Sequence, residues 1–307
     1  MNISVAINRE TWLNERRGGI GGSDAAAVVG LNPYKTPYMV WADKTDRLPE
    51  PEDNEAMRQG RDLEEYVARR FTAATGKKVR CLNGIIRNPE YPFALANIDR
   101  KIVGENAGLE CKTTSVLNLR RYKNDEFPSE YYTQCVHYMA VTGYDKWYLA
   151  VLVLNTEFKV FEIERDEDEI AALMDAERDF WDRYVLTDTP PPADGFDGTT
   201  EAIRAIYADS YGGTVELFGR DSLIRNYYDQ KAVRDAADRK MEAVKQTLMS
   251  DLGEAETGYC GPYKVTWKAQ SRRSFNAGRF AADNPEIDLG GYYDITTFRK
   301  FGIKELI

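Results

Sequence analysis

With 307 residues, 43% of them hydrophobic and 30% charged, the chain has the make-up of a globular protein with room for one main domain and a smaller one. No stretch approaches the roughly eighteen uninterrupted apolar residues of a membrane span, and the first residues lack a basic start followed by an apolar run. A cytoplasmic protein without a membrane partner is therefore expected.

The net charge of −9 does not mark a nucleic-acid binder, although local basic pairs occur at Arg16–Arg17 and Arg272–Arg273. Four scattered cysteines without a C-x-x-C pair, and a single histidine, His137, argue against structural zinc, iron–sulfur clusters and two-histidine metal sites. Any metal chemistry falls to carboxylates, which suit a hard ion.

In chain order, "MRQGRDLEEYVARRFTAATG" (57–76) predicts an amphipathic helix closed by Gly76. Strands are expected near 79–82, over 93–103 and over 107–113. A helix over 129–143 ends on Gly143, strands over 146–155 and 157–165 form a hairpin, and a helix over 166–185 starts with a run of acids. The expected fold class is α/β: a mixed central sheet flanked by helices. "TDTPPPADGFDGTT" reads as a connector. The expected organisation is a core over 1–187, a Pro/Gly linker over 188–200 and an extension over 201–307. In that extension, 221–252 predicts one long helix with Leu223, Tyr227, Met241, Val244 and Leu248 on a stripe, followed by a small hairpin and a basic aromatic tail.

The chemistry is concentrated in "GLECKTT" (108–114). Side chains alternate along a strand, so Glu110 and Lys112 project to one face. A surface ion pair is the competing reading. Asp99 lies among apolar neighbours in "FALANIDRKI", and the loop "GENAG" would bring its strand antiparallel to the next. On the helix, Glu64 shares a face with Gly60, Val67, Ala68 and Phe71, whereas Glu65 goes with Arg61 and Arg69 on the surface side. Acids that merely reach water at an element's edge would give the same pattern. If they converge, Asp99, Glu110 and the main-chain carbonyl of Cys111 can hold Mg2+, with Mn2+ as a substitute, and Glu64 can hold it directly or through water. Lys112 would then stabilise negative charge on a phosphate or its attacking hydroxide.

Asp99 followed by Glu110-Cys111-Lys112 resembles the D…ExK pattern of the PD-(D/E)xK nuclease superfamily. "GRDLEE" resembles its G-x-x-x-E helix, and Gln134 with Tyr138 its Q-x-x-x-Y element. "RRGGIGGSDAAAVVGLNPYKTPYMVW" (16–41) is similar to the opening of YqaJ-type phage recombination nucleases, relatives of the lambda exonuclease. The resemblance implies a restriction-endonuclease-like core and a catalytic set of Glu64, Asp99, Glu110, Lys112 and Gln134. It implies 5′-phosphate contacts from Ser23 and Arg16, with Arg17 as the alternative arginine, and from Asn97, Tyr131 and Tyr138. Ser23 or Asp24 is expected to cap a short helix whose N-terminus would favour an anion.

Two departures stand out: Arg100 follows Asp99 where such nucleases commonly have glycine, and Asn97 stands where they often have serine or threonine. The implied activity is a 5′→3′ exonuclease on double-stranded DNA that leaves 3′ single strands for an annealing protein, with a homo-oligomeric ring as the implied assembly. An endonuclease of the same fold and a non-hydrolytic DNA-binding module are the alternatives.

Overall fold

The structure is a computed structural model that describes residues 2–4, 9–50, 53–124 and 126–305. The chain divides into two compact units, Met1–Ala208 and Asp209–Ile307.

The first unit opens with β1 (Asn2–Ser4), α1 (Arg9–Arg17), β2 (Ile20–Gly21), α2 (Gly22–Val28) and α3 (Pro37–Lys44). Next comes α4 (Glu55–Thr75), the expected long amphipathic helix. Asn54 caps its start by accepting from the Met57 N–H at 3.0 Å, and Gly76 ends it in the left-handed region at φ 75°. Its buried face is Val67, Ala68 and Phe71, packed on Leu109, Tyr148 and Ala150.

The strands β3 (Val79–Arg80), β4 (Ile85–Asn88), β5 (Tyr91–Ala96), β6 (Arg100–Ile102) and β7 (Ala107–Thr114) follow. The single strand expected over 93–103 is two strands in two sheets. β5 lies in a sheet of order β1-β4-β5-β2, and β6 lies in a second sheet with β7. The chain leaves one sheet at Asn97 and enters the other at Arg100, so Asp99 stands at the crossover rather than inside a strand. The expected antiparallel pairing is present, with Arg100 opposite Leu109.

After β7 come α5 (Ser129–Thr142), β8 (Lys146–Val153), β9 (Glu157–Glu164) and α6 (Glu167–Phe180). The second sheet runs β3-β6-β7-β8-β9, with β7 and β8 parallel and the other pairs antiparallel, so the sheet is mixed. Gly143 ends α5 at φ 68° as expected, and β8 and β9 form the expected hairpin around Asn155.

α5 makes the crossover between the parallel strands β7 and β8 and is buried almost all round. His137 is fully buried on it. Nδ1 lies 2.8 Å from Glu177 Oε1 on α6, and Nε2 lies 2.9 Å from the Leu95 carbonyl on β5. The one histidine therefore ties helix, helix and strand together.

The first unit reaches past the expected 188–200 boundary. α7 (Asp197–Ile206) returns to α3, where the Thr199 hydroxyl bonds the Thr36 hydroxyl at 2.9 Å, and Arg47 pairs with Asp188 at 2.6 Å. These two links make the proline-rich segment a strap on the core, and the division falls after Ala208.

The second unit holds α8 (Asp221–Leu252), spanning the predicted range, the hairpin β10 (Thr257–Cys260) and β11 (Tyr263–Thr266), and α9 (Ala277–Asp283). No residue of α8 is buried within the chain; Met241 is 68% exposed and Val244 61%. No described helix is long and apolar enough to cross a membrane.

Candidate active site

β7 emerges from the core at its midpoint: Ala107 to Glu110 are buried, and Cys111 to Thr114 are half-exposed. That transition puts Glu110, 3% exposed, at the floor of a cleft, with Lys112 two residues further out on the same face. Lys112 Nζ donates to Glu110 Oε1 at 2.5 Å, and Gln134 Nε2 on α5 donates to the same oxygen at 2.8 Å. The other oxygen, Oε2, is buried without a hydrogen-bond partner. A buried carboxylate oxygen left bare is costly unless something positive completes it.

Asp99 reaches the same place from the sheet crossover, and its Oδ2 accepts the Cys111 N–H at 2.7 Å. Burial first, then the charge of Glu110 and of Glu64, push the Asp99 carboxyl well above the usual range, against the pull of Lys112. Burial opposes the charge of Lys112, but Glu110 and Asp99 outweigh it and raise its pKa, so it stays an ammonium. Burial and the same two acids push the Cys111 thiol up, so it is a neutral side chain whose backbone matters here. Tyr131 faces Lys112, with the ammonium 5.0 Å from its ring centre.

Glu64 is 34% exposed, neither sunk in the core nor in bulk water. Its Oε1 accepts from Arg100 Nη1 at 2.5 Å. Among the described residues no three acidic, thiol or imidazole groups are gathered closely enough to hold an ion. The expected convergence of three carboxylates is thus realised for Asp99 and Glu110, while Glu64 stands beside them on a guanidinium. Glu65 is the exposed ion-pair former expected, but with a different arginine. It pairs with Arg100 Nη2 at 3.0 Å, because Arg61 is taken by Asp53 at 2.8 Å and Arg69 lies over the Tyr66 ring.

A cavity of about 160 Å³ opens above the pair, lined among others by Arg16, Ser23, Asn97, Asp99, Glu110 and Gln134. Arg16 Nη2 donates to Ser23 Oγ at 3.1 Å, bringing the two anion-site candidates together. Arg17 pairs instead with Asp46 at 2.8 Å. Tyr138 lines the cavity, but its hydroxyl donates to the Asn97 carbonyl at 3.1 Å and accepts from Gln134 Nε2 at 2.9 Å. It therefore supports its neighbours more than it offers a free donor.

Of the two expected capping residues of the short helix α2, Asp24 takes part in the cap from the third helical position. Gly21 precedes it, and Asp24 reaches back to accept the Gly21 N–H at 3.2 Å. Gly22 is needed for space, since a Cβ there would lie 2.5 Å from Tyr138 Cε1.

Three features escaped sequence reasoning. Asp24 is fully buried between Lys35 and Lys44, each at 2.7 Å. Trp12 lines the cavity one helical turn before Arg16, with the Arg16 guanidinium 5.1 Å from its ring, and the spacing of four on a helix could have signalled it. Arg100 was visible only as a departure in a pattern; its partners lie 35 and 36 residues away.

Over 308 aligned residues the chain is 38% identical to the protein YqaJ of Bacillus subtilis (strain 168), covering 98% of this chain and 95% of that one. The chain belongs to the YqaJ family. Residues 11–145 match the YqaJ-like viral recombinase domain, a span that contains every candidate residue from Arg16 to Tyr138. Among solved structures, the alkaline exonuclease LHK-Exo of Laribacter hongkongensis matches with a TM-score of 0.51 at 22% identity, covering 59% of this chain and 94% of that one. Its complex with dAMP matches at the same TM-score and 23% identity. The YqaJ-family core thus has the fold of these exonucleases, consistent with the restriction-endonuclease-like architecture expected.

The donor set suits a hard divalent cation. Two facing carboxylates repel each other, one of their oxygens is buried and bare, and the strand carbonyl of Cys111 follows directly after Glu110. No histidine or thiolate competes, because His137 is engaged at both ring nitrogens and the Cys111 thiol is held neutral.

Proposed function

We propose that this YqaJ-family protein is a divalent-metal-dependent 5′→3′ exonuclease on double-stranded DNA that serves phage-type recombination and leaves 3′ single strands for an annealing protein. The family and the fold support a DNA phosphodiester hydrolase. The observation that carries the finer reading is the pairing of Arg16 with Ser23 on the wall of the cavity that holds Asp99 and Glu110. An anion seat beside an ion seat suits a strand that ends in a phosphate, with the bond to be cut one nucleotide further in.

Asp99, Glu110 and the Cys111 carbonyl would hold Mg2+ or Mn2+, with Glu64 at its edge; when bound, the ion supplies Lewis acidity at the scissile phosphate. Lys112, kept cationic by its two acids, lowers the cost of the negative charge that develops there. Gln134 holds Glu110 Oε1, which leaves the unpartnered Oε2 to meet the ion, and Tyr138 fixes Gln134. Arg16, Ser23 and Asn97 would receive the terminal phosphate. A ring of several copies, basic only along its channel, would reconcile the charge of −9 with a DNA substrate.

The test is digestion of a linear duplex with and without a 5′-phosphate, beside a covalently closed circle, in Mg2+. Degradation of the linear duplex, faster with the phosphate, supports the proposal, whereas cutting of the circle means an endonuclease. In the same assay Lys112→Ala should lower the rate by about a hundredfold or more while DNA binding persists. Undiminished digestion would reject its assigned role.

A further inference from the structure

Arg100 opens β6, one residue after Asp99, and its side chain is 8% exposed. Its guanidinium is fully engaged on the side facing α4. Nη1 donates to Glu64 Oε1 at 2.5 Å and to the Asp99 carbonyl at 2.7 Å, and Nη2 donates to Glu65 Oε2 at 3.0 Å. The bond to the Asp99 carbonyl anchors the cation to the crossover that carries the Asp99 carboxylate. The two bonds to α4 anchor successive acids of the helix to that same cation. Charge-assisted bonds to a planar fork fix direction as well as distance. Glu64 is therefore held at one carboxylate oxygen by a nearly buried guanidinium, while Asp99 and Glu110 face each other without a third acid.

We propose that Arg100 is a positioning residue that holds Glu64 back from the Asp99–Glu110 pair, so that the protein without DNA offers a divalent ion a two-carboxylate seat of low affinity. The proposal rests on the metal-dependent reading above. Two physical terms act in the same direction. An ion that is to take Glu64 as a ligand must draw that carboxylate away from a short ion pair with a nearly buried guanidinium. It must also settle beside a fixed positive charge, and repulsion between a dication and a cation weakens binding by about tenfold or more even with water-like screening. Lys112 adds a second cation to the same wall. The seat is thus balanced between acids and bases instead of being purely acidic.

The experiment is calorimetric titration of Mn2+, and separately Ca2+, into the full-length protein without DNA, with the thermal midpoint followed in parallel. Arg100→Met should bind the ion about tenfold or more tightly than the parent protein. Lys101→Met is the control for simple loss of charge: it removes a cation from the same strand whose ammonium lies over the Tyr144 ring at 5.1 Å, and its affinity should change by less than about threefold. Measurable binding by the parent with unchanged or weaker binding by Arg100→Met overturns the proposal and leaves the metal-dependent reading standing. No heat and no shift of the midpoint for either protein overturns that reading itself, and the proposal with it. Should Arg100→Met fail to fold, Arg100→Lys replaces it. That variant keeps the charge but loses the fork that grips both acids, and it should gain affinity by a smaller factor in the same direction; no gain would count against the positioning role.

Discussion

Asp24 is fully buried and paired with two ammonium groups, those of Lys35 and Lys44. Burial alone would raise its pKa, yet Lys35, Lys44 and Arg16 pull it well below the ordinary value of 3.8. A carboxyl whose folded pKa is depressed contributes stability above its unfolded pKa and loses it as pH falls through the folded value. Acid should therefore unfold the protein through Asp24 in the range below about 4. Asp24→Asn takes from the buried Lys44 its close carboxylate at 2.7 Å and leaves Asp43 at 4.0 Å, and the expected cost at neutral pH is about 3–5 kcal/mol. Urea denaturation of the variant at neutral pH and at successively lower pH measures both effects. The penalty should shrink as the parent's carboxyl protonates, and a penalty that stays constant down to pH 2 would mean that the ion triad is not the cause. Because Lys44 Nζ also donates to the Arg16 carbonyl at 3.1 Å, the same triad steadies the residue assigned to the anion seat.

The Glu110–Lys112 pair was legible because two residues on one strand face need no tertiary knowledge. Glu64 against Glu65 was legible too, from helical spacing alone, and Glu64 is 34% exposed against 65% for Glu65. That both acids share Arg100, and that Arg17 pairs with Asp46, was not, because each partner lies far along the chain.

At the scale of elements, the site depends on how closely α2 meets α5. Gly22 sits where any side chain would press on the Tyr138 ring, and Tyr138 in turn holds Gln134 and the Asn97 carbonyl. Gly22→Ala should cost about 1–3 kcal/mol through overpacking and should also slow digestion, because the displaced ring frees Gln134 from its place on Glu110. Thermal unfolding paired with the nuclease rate reads both; a variant that keeps the parent's stability and rate would show that the two helices can part cheaply.

Helix ends were legible wherever a glycine closes them, as at Gly76 and Gly143, because the left-handed turn is written into one residue. The break between β5 and β6 was not. "FALANIDRKI" keeps enough apolar character to pass as one strand, and only the second sheet, built from residues further along, shows where the chain must cross. That crossover places Asp99 opposite Glu110, so the least legible turn in the core is one that the site depends on.

At the scale of the molecule, the connector gave the wrong impression of where one unit ends. Prolines predicted a free linker, but Arg47–Asp188 and Thr36–Thr199 bind the segment across more than a hundred residues of sequence. The stretch from 208 to 220 carries no helix or strand and is exposed throughout, whereas α7 and α8 flank it. Brief trypsin treatment should therefore nick at Arg220 well before Arg204, which lies within α7. Mass spectrometry of the first fragments decides the matter, and early cleavage at Arg183 or Arg204 instead would show that the strap is loose.

The parallel pairing of β7 with β8 has a consequence for how the molecule comes into being. Glu110 gains the second of the strands beside its own, β8, only after α5 has been threaded across, and Gln134, which clasps its oxygen, belongs to that same helix. Loop closure over such a span is slow and cannot begin until the later segment exists. A nascent chain truncated before Val153 thus carries the acids but no finished seat for them, and cutting power would arrive in a single late step of assembly rather than growing with chain length.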